Sequence, residues 1–225
     1  MTASFATLTI GQAPRSDIMP LLSAYLPAER VRHVGLLDGL DAGQIAERYA
    51  PQWGDKLLVS RLLDGTQVTL CAARVESGLQ QKIRELEAAG CQVILLLCTG
   101  EFGRLQAEQA LLLEPDRIIP PLISAIVGEH RVGIVVPVAE QVGQQARKWR
   151  QLPTPPSYAV ASPYLADDAA LEQAACALLR QGAEVVVLDC IGYHQRHRAF
   201  LQARLSVPVL LSNVLVAKLA AELIG

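Results

Sequence analysis

The sequence predicts an α/β protein made of two similar half-domains, each with a parallel sheet, facing a cleft, and three observations carry that prediction. Short runs rich in Val, Ile and Leu recur, as in GCQVILLLCTGEF from Gly90 to Phe102 and GAEVVVLDCIGYHQRHR from Gly182 to Arg198. Near-continuous runs of this kind belong to parallel strands covered on both faces. A helical pattern precedes each run and is closed by a glycine, Gly90 or Gly182. Finally, the two phrases echo one another: the cysteine follows the glycine at the same spacing, giving Cys98-Thr99-Gly100 and Cys190-Ile191-Gly192. Ligands of open parallel sheets bind beyond the carboxyl ends of the strands, which is where both thiols fall.

Length and composition fit this scheme. A chain of 225 residues suits one large α/β domain or two of about a hundred residues each. Half of the residues are apolar and the formal net charge is only −2, so neither a nucleic-acid binder nor a disordered tail is expected. No apolar run approaches the roughly 20 residues that span a bilayer. The amino-terminal MTASFATLTIG lacks the basic start and long apolar stretch of a signal peptide, so a cytoplasmic protein without membrane association is expected. In that compartment Cys71, Cys91, Cys98, Cys176 and Cys190 would be reduced. None stands in a CxxC or at zinc spacing from a histidine, so no metal is expected.

Taken in order, a strand from Ala6 to Ile10 stops at Gly11, Pro14 suits a helix start, and an apolar-periodic segment runs from Ile18 to Tyr25. The backbone N–H groups of this loop, with Arg15, suit an anion; a plain helix start with a solvated arginine explains them equally well. Val34 to Leu37 is a strand, Asp38-Gly39 a turn, and Asp41 the cap of a short helix from Gly43 to Tyr49. Asp64-Gly65 marks a hairpin whose second strand runs from Gln67 to Ala72. Glu76 to Ala89 is an amphipathic helix that leads into the first cysteine strand. Glu101 to Leu113 is expected to be helical, and Pro115, Pro120 and Pro121 break the chain between Glu114 and Leu122 at a domain boundary.

Leu122 to Val127 continues as helix, and Arg131 to Pro137 repeats the opening strand. A helix from Glu140 to Arg150, a strand from Tyr158 to Ala161 and a helix from Asp167 to Gln181 lead to the second cysteine strand. His194 to Leu205 is a basic helix, Pro208 to Leu211 the last strand, and Asn213 to Leu223 an alanine-rich helix. The first domain is thus predicted to hold residues 1–121 with 208–225, and the second residues 122–207.

Free cysteine is among the most buried residue types, which accounts for Cys71, Cys91 and Cys176 as small hydrophobes. Cys98 and Cys190 differ because both stand at the end of a buried strand in the same register. A carbon acid beside a carboxylate is racemised without a cofactor when one base removes its proton and an acid returns one from the other face. Cysteine suits both roles, since its ordinary pKa lies not far above neutrality and a nearby cation lowers it. Arg15, His194 and Arg196 are the available cations. A competing use is a single nucleophile, Cys190, with His194 as its base. His194 and His197 share a helix face, but no carboxylate or thiol stands at ligand spacing to complete a metal site.

The chain resembles the AroM family through TIGQAPR near the start, LLEPDRIIPPL from Leu112 to Leu122, LDCIGYHQRHR from Leu188 to Arg198 and PVLLSNVLVAKLAAEL at the end. More remotely it resembles the aspartate/glutamate racemase superfamily, which includes glutamate, aspartate and hydantoin racemases, maleate isomerase and arylmalonate decarboxylase. That resemblance implies Cys98 and Cys190 as the catalytic pair, no cofactor and a small carboxylic acid as ligand. It places Gly11, Gln12 and Arg15 at the substrate's acid group. It also brings Thr99, Gly100 and Glu101 from the first cysteine loop, Ile191, Gly192 and His194 from the second, and Asn213 after the last strand.

There are departures. Of the superfamily's Cys-Asn-Thr only Cys98 is kept, and of its Gly-Cys-Thr-His only Cys190, with the histidine displaced to His194. Ile191 brings no hydrogen-bonding group where the superfamily binds a carboxylate, and an ionised Asp189 beside Cys190 would raise the thiol's pKa. The expected activity is a racemase or isomerase, with lyase chemistry as a variant. The alternative is a ligand-binding or regulatory protein that keeps the fold without turnover. A homodimer is compatible with either.

Overall fold

In a computed structural model, which describes residues 4–103, 105–165 and 167–224, the chain divides into two compact units. One runs up to Glu114 and takes back the chain from Ala217; the other is Pro115–Val216.

The first unit is organised by a parallel sheet. Strand β1 (Phe5–Thr9) is buried along its whole length and lies between β2 (Val31–Gly35) and β5 (Val93–Leu97). Strands β3 (Leu57–Arg61) and β4 (Gln67–Cys71) form a separate antiparallel hairpin, turned at Asp64-Gly65 where Asp64 Oδ1 accepts from Thr66 N and Gly65 has φ +91°. A short strand β6 (Leu111–Leu113) completes the order β2-β1-β5-β6. Helix α1 is a single turn (Met19–Leu22). Helix α2 (Ala42–Tyr49) starts at the expected Asp41, whose side chain accepts from Gln44 N while Gln44 returns a bond to Asp41 N. Helix α3 (Ala72–Ala88) buries Val75, Leu79, Ile83 and Leu86, one apolar stripe at helical spacing. These residues share one core with Leu8, Ile94, Leu96 and Cys98.

Two expectations are corrected here. The described residues between Glu101 and Ala110 form no helix. Their polar groups are instead tied to α3: Glu87 Oε1 accepts from Gln109 N and Ala110 N, and Gln80 exchanges two bonds with Gln106. This tie delivers Leu111–Leu113 to the edge of β5 as a strand. Pro14 likewise lies ahead of α1 in a bent loop rather than at a helix start.

The second unit repeats the plan. Helix α4 (Pro115–Val127) leads to β7 (Val132–Val136), and a 3-10 turn (Ala139–Gln141) opens into α5 (Val142–Lys148). Then follow β8 (Ser157–Val160), α6 (Asp168–Arg180), β9 (Val185–Leu188), α7 (Gln195–Gln202), β10 (Val209–Leu211) and α8 (Ser212–Ala221). The parallel sheet runs β10-β9-β7-β8; reversed, this is the strand order of the first sheet, with β7 in the place of β1 and β9 in that of β5. The equivalent glycines Gly90 and Gly182 end α3 and α6 with φ +86° and +87°. The echo read from the sequence is therefore a repeat of topology.

The boundaries differ from those expected. Helix α4 runs through Pro120 and Pro121 and buries Ile119, Pro120 and Ile123, so the second unit begins at Pro115 rather than Leu122. Strand β10 hydrogen-bonds to β9, so residues 208–216 belong to the second unit, not the first.

Candidate functional site

In the second unit the chain leaves β9 through Asp189 and reaches Cys190, which is 5% exposed. Its sulfur lies 3.6 Å from the hydroxyl of Tyr164, a residue in the loop after β8. The carbons of that tyrosine ring come so near Gly192 that a Cβ there would meet Cε1 at 2.4 Å and Cζ at 2.7 Å. A side chain at position 192 and the present seat of Tyr164 exclude one another.

Asp189 is 1% exposed and held from two sides, by Lys148 Nζ at 2.5 Å from Oδ2 and by Ser212 Oγ at 3.0 Å from Oδ1. Both of its oxygens are thus engaged, one by a buried lysine and one by a buried hydroxyl. Burial pushes the Tyr158 phenol up to about 12, with Asp189 adding to the effect. The Tyr193 phenol is raised well above its usual value by burial first, then by Cys190, Tyr164 and Asp189; its hydroxyl donates to Ala161 O at 2.5 Å.

Asn213, at the start of α8, donates from Nδ2 to the carbonyl of Ile191 at 2.9 Å and to that of Tyr193. Its Nδ2 thus pins the cysteine loop from behind, while its buried Oδ1 has no hydrogen-bond partner. His194 precedes α7; its N–H donates to His197 Nδ1 at 3.1 Å, and the two rings stack with centroids 3.9 Å apart. Burial, followed by His194 and Arg196, lowers the His197 pKa to about 4, against an opposing effect of Asp168. Arg196 points its guanidinium to Asp168 Oδ2 at 2.6 Å on the surface, so the cation offered by the sequence is engaged with an acid of α6.

In the first unit Cys98, 6% exposed, directly follows β5, and its sulfur accepts from Gly100 N at 3.3 Å. Thr99 is buried, while Glu101 is partly exposed with Oε2 3.9 Å from Lys56 Nζ. Leu58 of β3 closes over Gly100, where an added Cβ would stand 2.5 Å from Leu58 Cδ2. Gly11 is equally hemmed in, by Ser60 Oγ at 2.4 Å and Arg61 O at 2.5 Å from such a Cβ.

The loop Gly11–Arg15 is more committed to the fold than the sequence suggested. Gly11 N donates to Thr9 Oγ1 and Ala13 N to Asp38 Oδ1. Gln12 donates to the carbonyls of Leu37 and Leu40 and accepts from Leu63 N, tying loops of the first unit together. Arg15 is buried and makes a two-point pair with Asp17, Nε to Oδ1 at 2.9 Å and Nη2 to Oδ2 at 2.6 Å. The anion-binding alternative for Arg15 thus meets a carboxylate of the chain itself.

The AroM protein family model matches residues 5–224. The chain belongs to the AroM family. No curated protein sequence matches it. Among solved structures it is similar to allantoin racemase from Klebsiella pneumoniae, with TM-score 0.59 and 16% identity over 97% of this chain and 86% of that one. It is also similar to glutamate racemase isoform RacE1 from Bacillus anthracis, with TM-score 0.66 and 11% identity over 99% and 82%. An arylmalonate decarboxylase matches with TM-score 0.54 and 16% identity over 97% and 92%. At these identities the likeness is one of fold: this AroM-family chain has the racemase-like α/β fold with two half-domains.

Sequence reasoning missed Tyr164 and Lys148. The rule that sites gather beyond the carboxyl ends of parallel strands, applied to β8 as well as β9, singles out Tyr164. Lys148 sits in a run of basic residues near the end of α5 and carries no such signal. Among the described residues no group of three or more His, Cys, Asp or Glu is arranged to hold a metal, and no helix is long and apolar enough to cross a membrane.

Proposed function

We propose that this AroM-family protein is a cofactor-independent enzyme that moves a proton at the carbon beside the carboxylate of a small acid, with Cys98 and Cys190 as the acid/base pair. The observation that carries the reading is the equivalence of the two thiols, each beyond the carboxyl end of the corresponding strand of two sheets with the same order. The racemases and the decarboxylase that share the fold support this reaction class, since glutamate racemase and allantoin racemase invert a carbon centre in the molecules for which they are named.

In this reading a thiolate on one cysteine takes the α-proton and becomes a thiol. The thiol of the other gives its proton to the opposite face of the carbanion and becomes the thiolate. The enzyme's proton count is unchanged and its two charge states are exchanged. Thr99, Glu101 and His194 supply side chains toward the substrate, while Gly11, Gly100 and Gly192 leave room for Ser60, Leu58 and Tyr164 to pack against the loops that carry them. Gln12, Arg15 and Asn213 act one step behind, shaping the loops. A cytoplasmic location, where the thiols stay reduced, suits this chemistry.

The test is α-proton exchange in heavy water, followed by NMR, on a panel of dicarboxylic, aromatic and hydroxy acids such as aspartate, glutamate, malate and mandelate. The wild type is expected to exchange and invert at least one, and Cys98→Ala to invert none. Thermal stabilisation by an acid without exchange would replace this reading with a non-catalytic binding protein. An active Cys98→Ala would replace it with Cys190 acting alone.

A further inference from the structure

We propose that Tyr164 is a catalytic residue of the second unit: its phenol donates a hydrogen bond to the Cys190 thiolate and holds that sulfur ready as the base. The proposal deepens the proton-transfer reading and rests on it for its role in turnover. Three observations carry it. The hydroxyl oxygen stands 3.6 Å from Cys190 Sγ, within reach of a bond to sulfur. The ring rests against Gly192, two residues along the same loop, where a Cβ would fall 2.4 to 2.8 Å from Cε1, Cζ and Oη. The loop carrying it is turned by a bond from Tyr164 N to Ser162 Oγ at 3.2 Å, which sets the approach of the side chain.

The other phenol beside Cys190, Tyr193, gives its hydrogen to the carbonyl of Ala161. Of the charged groups packed here, Asp189 at the end of β9 is paired with Lys148 of α5. Tyr158 of β8 lies within electrostatic reach of Asp189. At the head of α7, His197 accepts from the backbone of His194 and stacks on its ring. A donor to a thiolate favours the charged form over the thiol, and a phenol supplies one without a positive charge that would trap the carbanion or its carboxylate.

The experiment is the pH dependence of alkylation of each cysteine by iodoacetamide, read by peptide mass spectrometry in the intact protein. Tyr164→Phe keeps the ring and removes the donor. It is expected to move the Cys190 midpoint up by about half a unit to one unit, a three- to tenfold loss of rate at fixed neutral pH, with the Cys98 profile unchanged. Gly192→Ala keeps the hydroxyl and displaces the ring, and is expected to shift Cys190 the same way. A Cys190 midpoint unmoved in Tyr164→Phe, or equal shifts at Cys98 and Cys190, overturns the proposal. Because alkylation reads the thiol without turnover, this result stands apart from the exchange assay: no exchange sinks the enzyme reading, and no shift sinks the role of Tyr164.

Discussion

Lys148 Nζ lies 2.5 Å from Asp189 Oδ2, the lysine side chain 3% exposed and the aspartate side chain fully enclosed, directly behind Cys190 in sequence. Two charges removed from water hold each other and, through Ser212, the end of β10. Losing one partner leaves the other charge buried without its match, so Lys148→Met is expected to cost about 3–5 kcal/mol of stability. Asp189→Leu should also destabilise, and the Lys148→Met/Asp189→Leu pair should recover much of the loss. Denaturant melts combined in a double-mutant cycle check this, and additive single effects would contradict it.

His197 makes stability depend on pH. Its pKa, lowered from 6.5 to about 4, means the folded state resists a proton that the unfolded chain accepts. Its contribution is complete above about pH 6.5 and is lost as pH falls through about 4. Protonation also converts Nδ1 from acceptor to donor and removes the bond from His194 N. His197→Gln keeps an acceptor at this helix position and does not titrate. Its melting temperature should therefore fall less than that of the wild type between pH 7 and 4. Parallel curves would contradict the assignment.

Asn213→Ala removes the two bonds that pin Ile191 and Tyr193. Two buried carbonyls then lose a partner, for a cost of about 1–3 kcal/mol. The Cys190 loop should loosen with it, seen as faster amide hydrogen exchange at residues 190–193 while β1 and β5 stay protected. Unchanged exchange in that loop would show that Asn213 does not hold it.

Gly11→Ala tests how tightly β3 covers the first loop. The added methyl meets Arg61 O, a backbone atom that yields only with its strand, as well as Ser60 Oγ. A loss of about 1–3 kcal/mol is expected in a thermal or urea melt. Gly103→Ala has open space around it and is the matched control.

What the sequence disclosed follows from the range of the forces involved. Strand cores, the Asp41 cap, the Asp64-Gly65 turn and the glycine closures are local, and so are the positions of both cysteines at strand ends. Pro120 and Pro121 misled because a local rule for helix breaking is overridden by the apolar face that α4 buries. The segment before Leu111 misled because its charged residues look helical until α3 supplies Glu87 and Gln80 as partners. Lys148 finds Asp189 across 41 residues, and Arg15 finds Asp17 by a side-chain turn, so neither pairing shows in a one-dimensional pattern. The departures at Thr99, Gly100 and Ile191 stand in the sequence itself.

The central claim, one proton taken by one thiol and one returned by the other, is tested most directly by isotope tracing on the acid that the wild type exchanges. A single enantiomer is incubated in heavy water, and both enantiomers are separated early in the reaction. The account predicts deuterium at the α-carbon of the product enantiomer, recovered starting enantiomer still carrying hydrogen, and loss of conversion in both Cys98→Ala and Cys190→Ala. Deuterium appearing equally in both enantiomers from the start, conversion that survives in either variant, or exchange of no acid in the panel would contradict it.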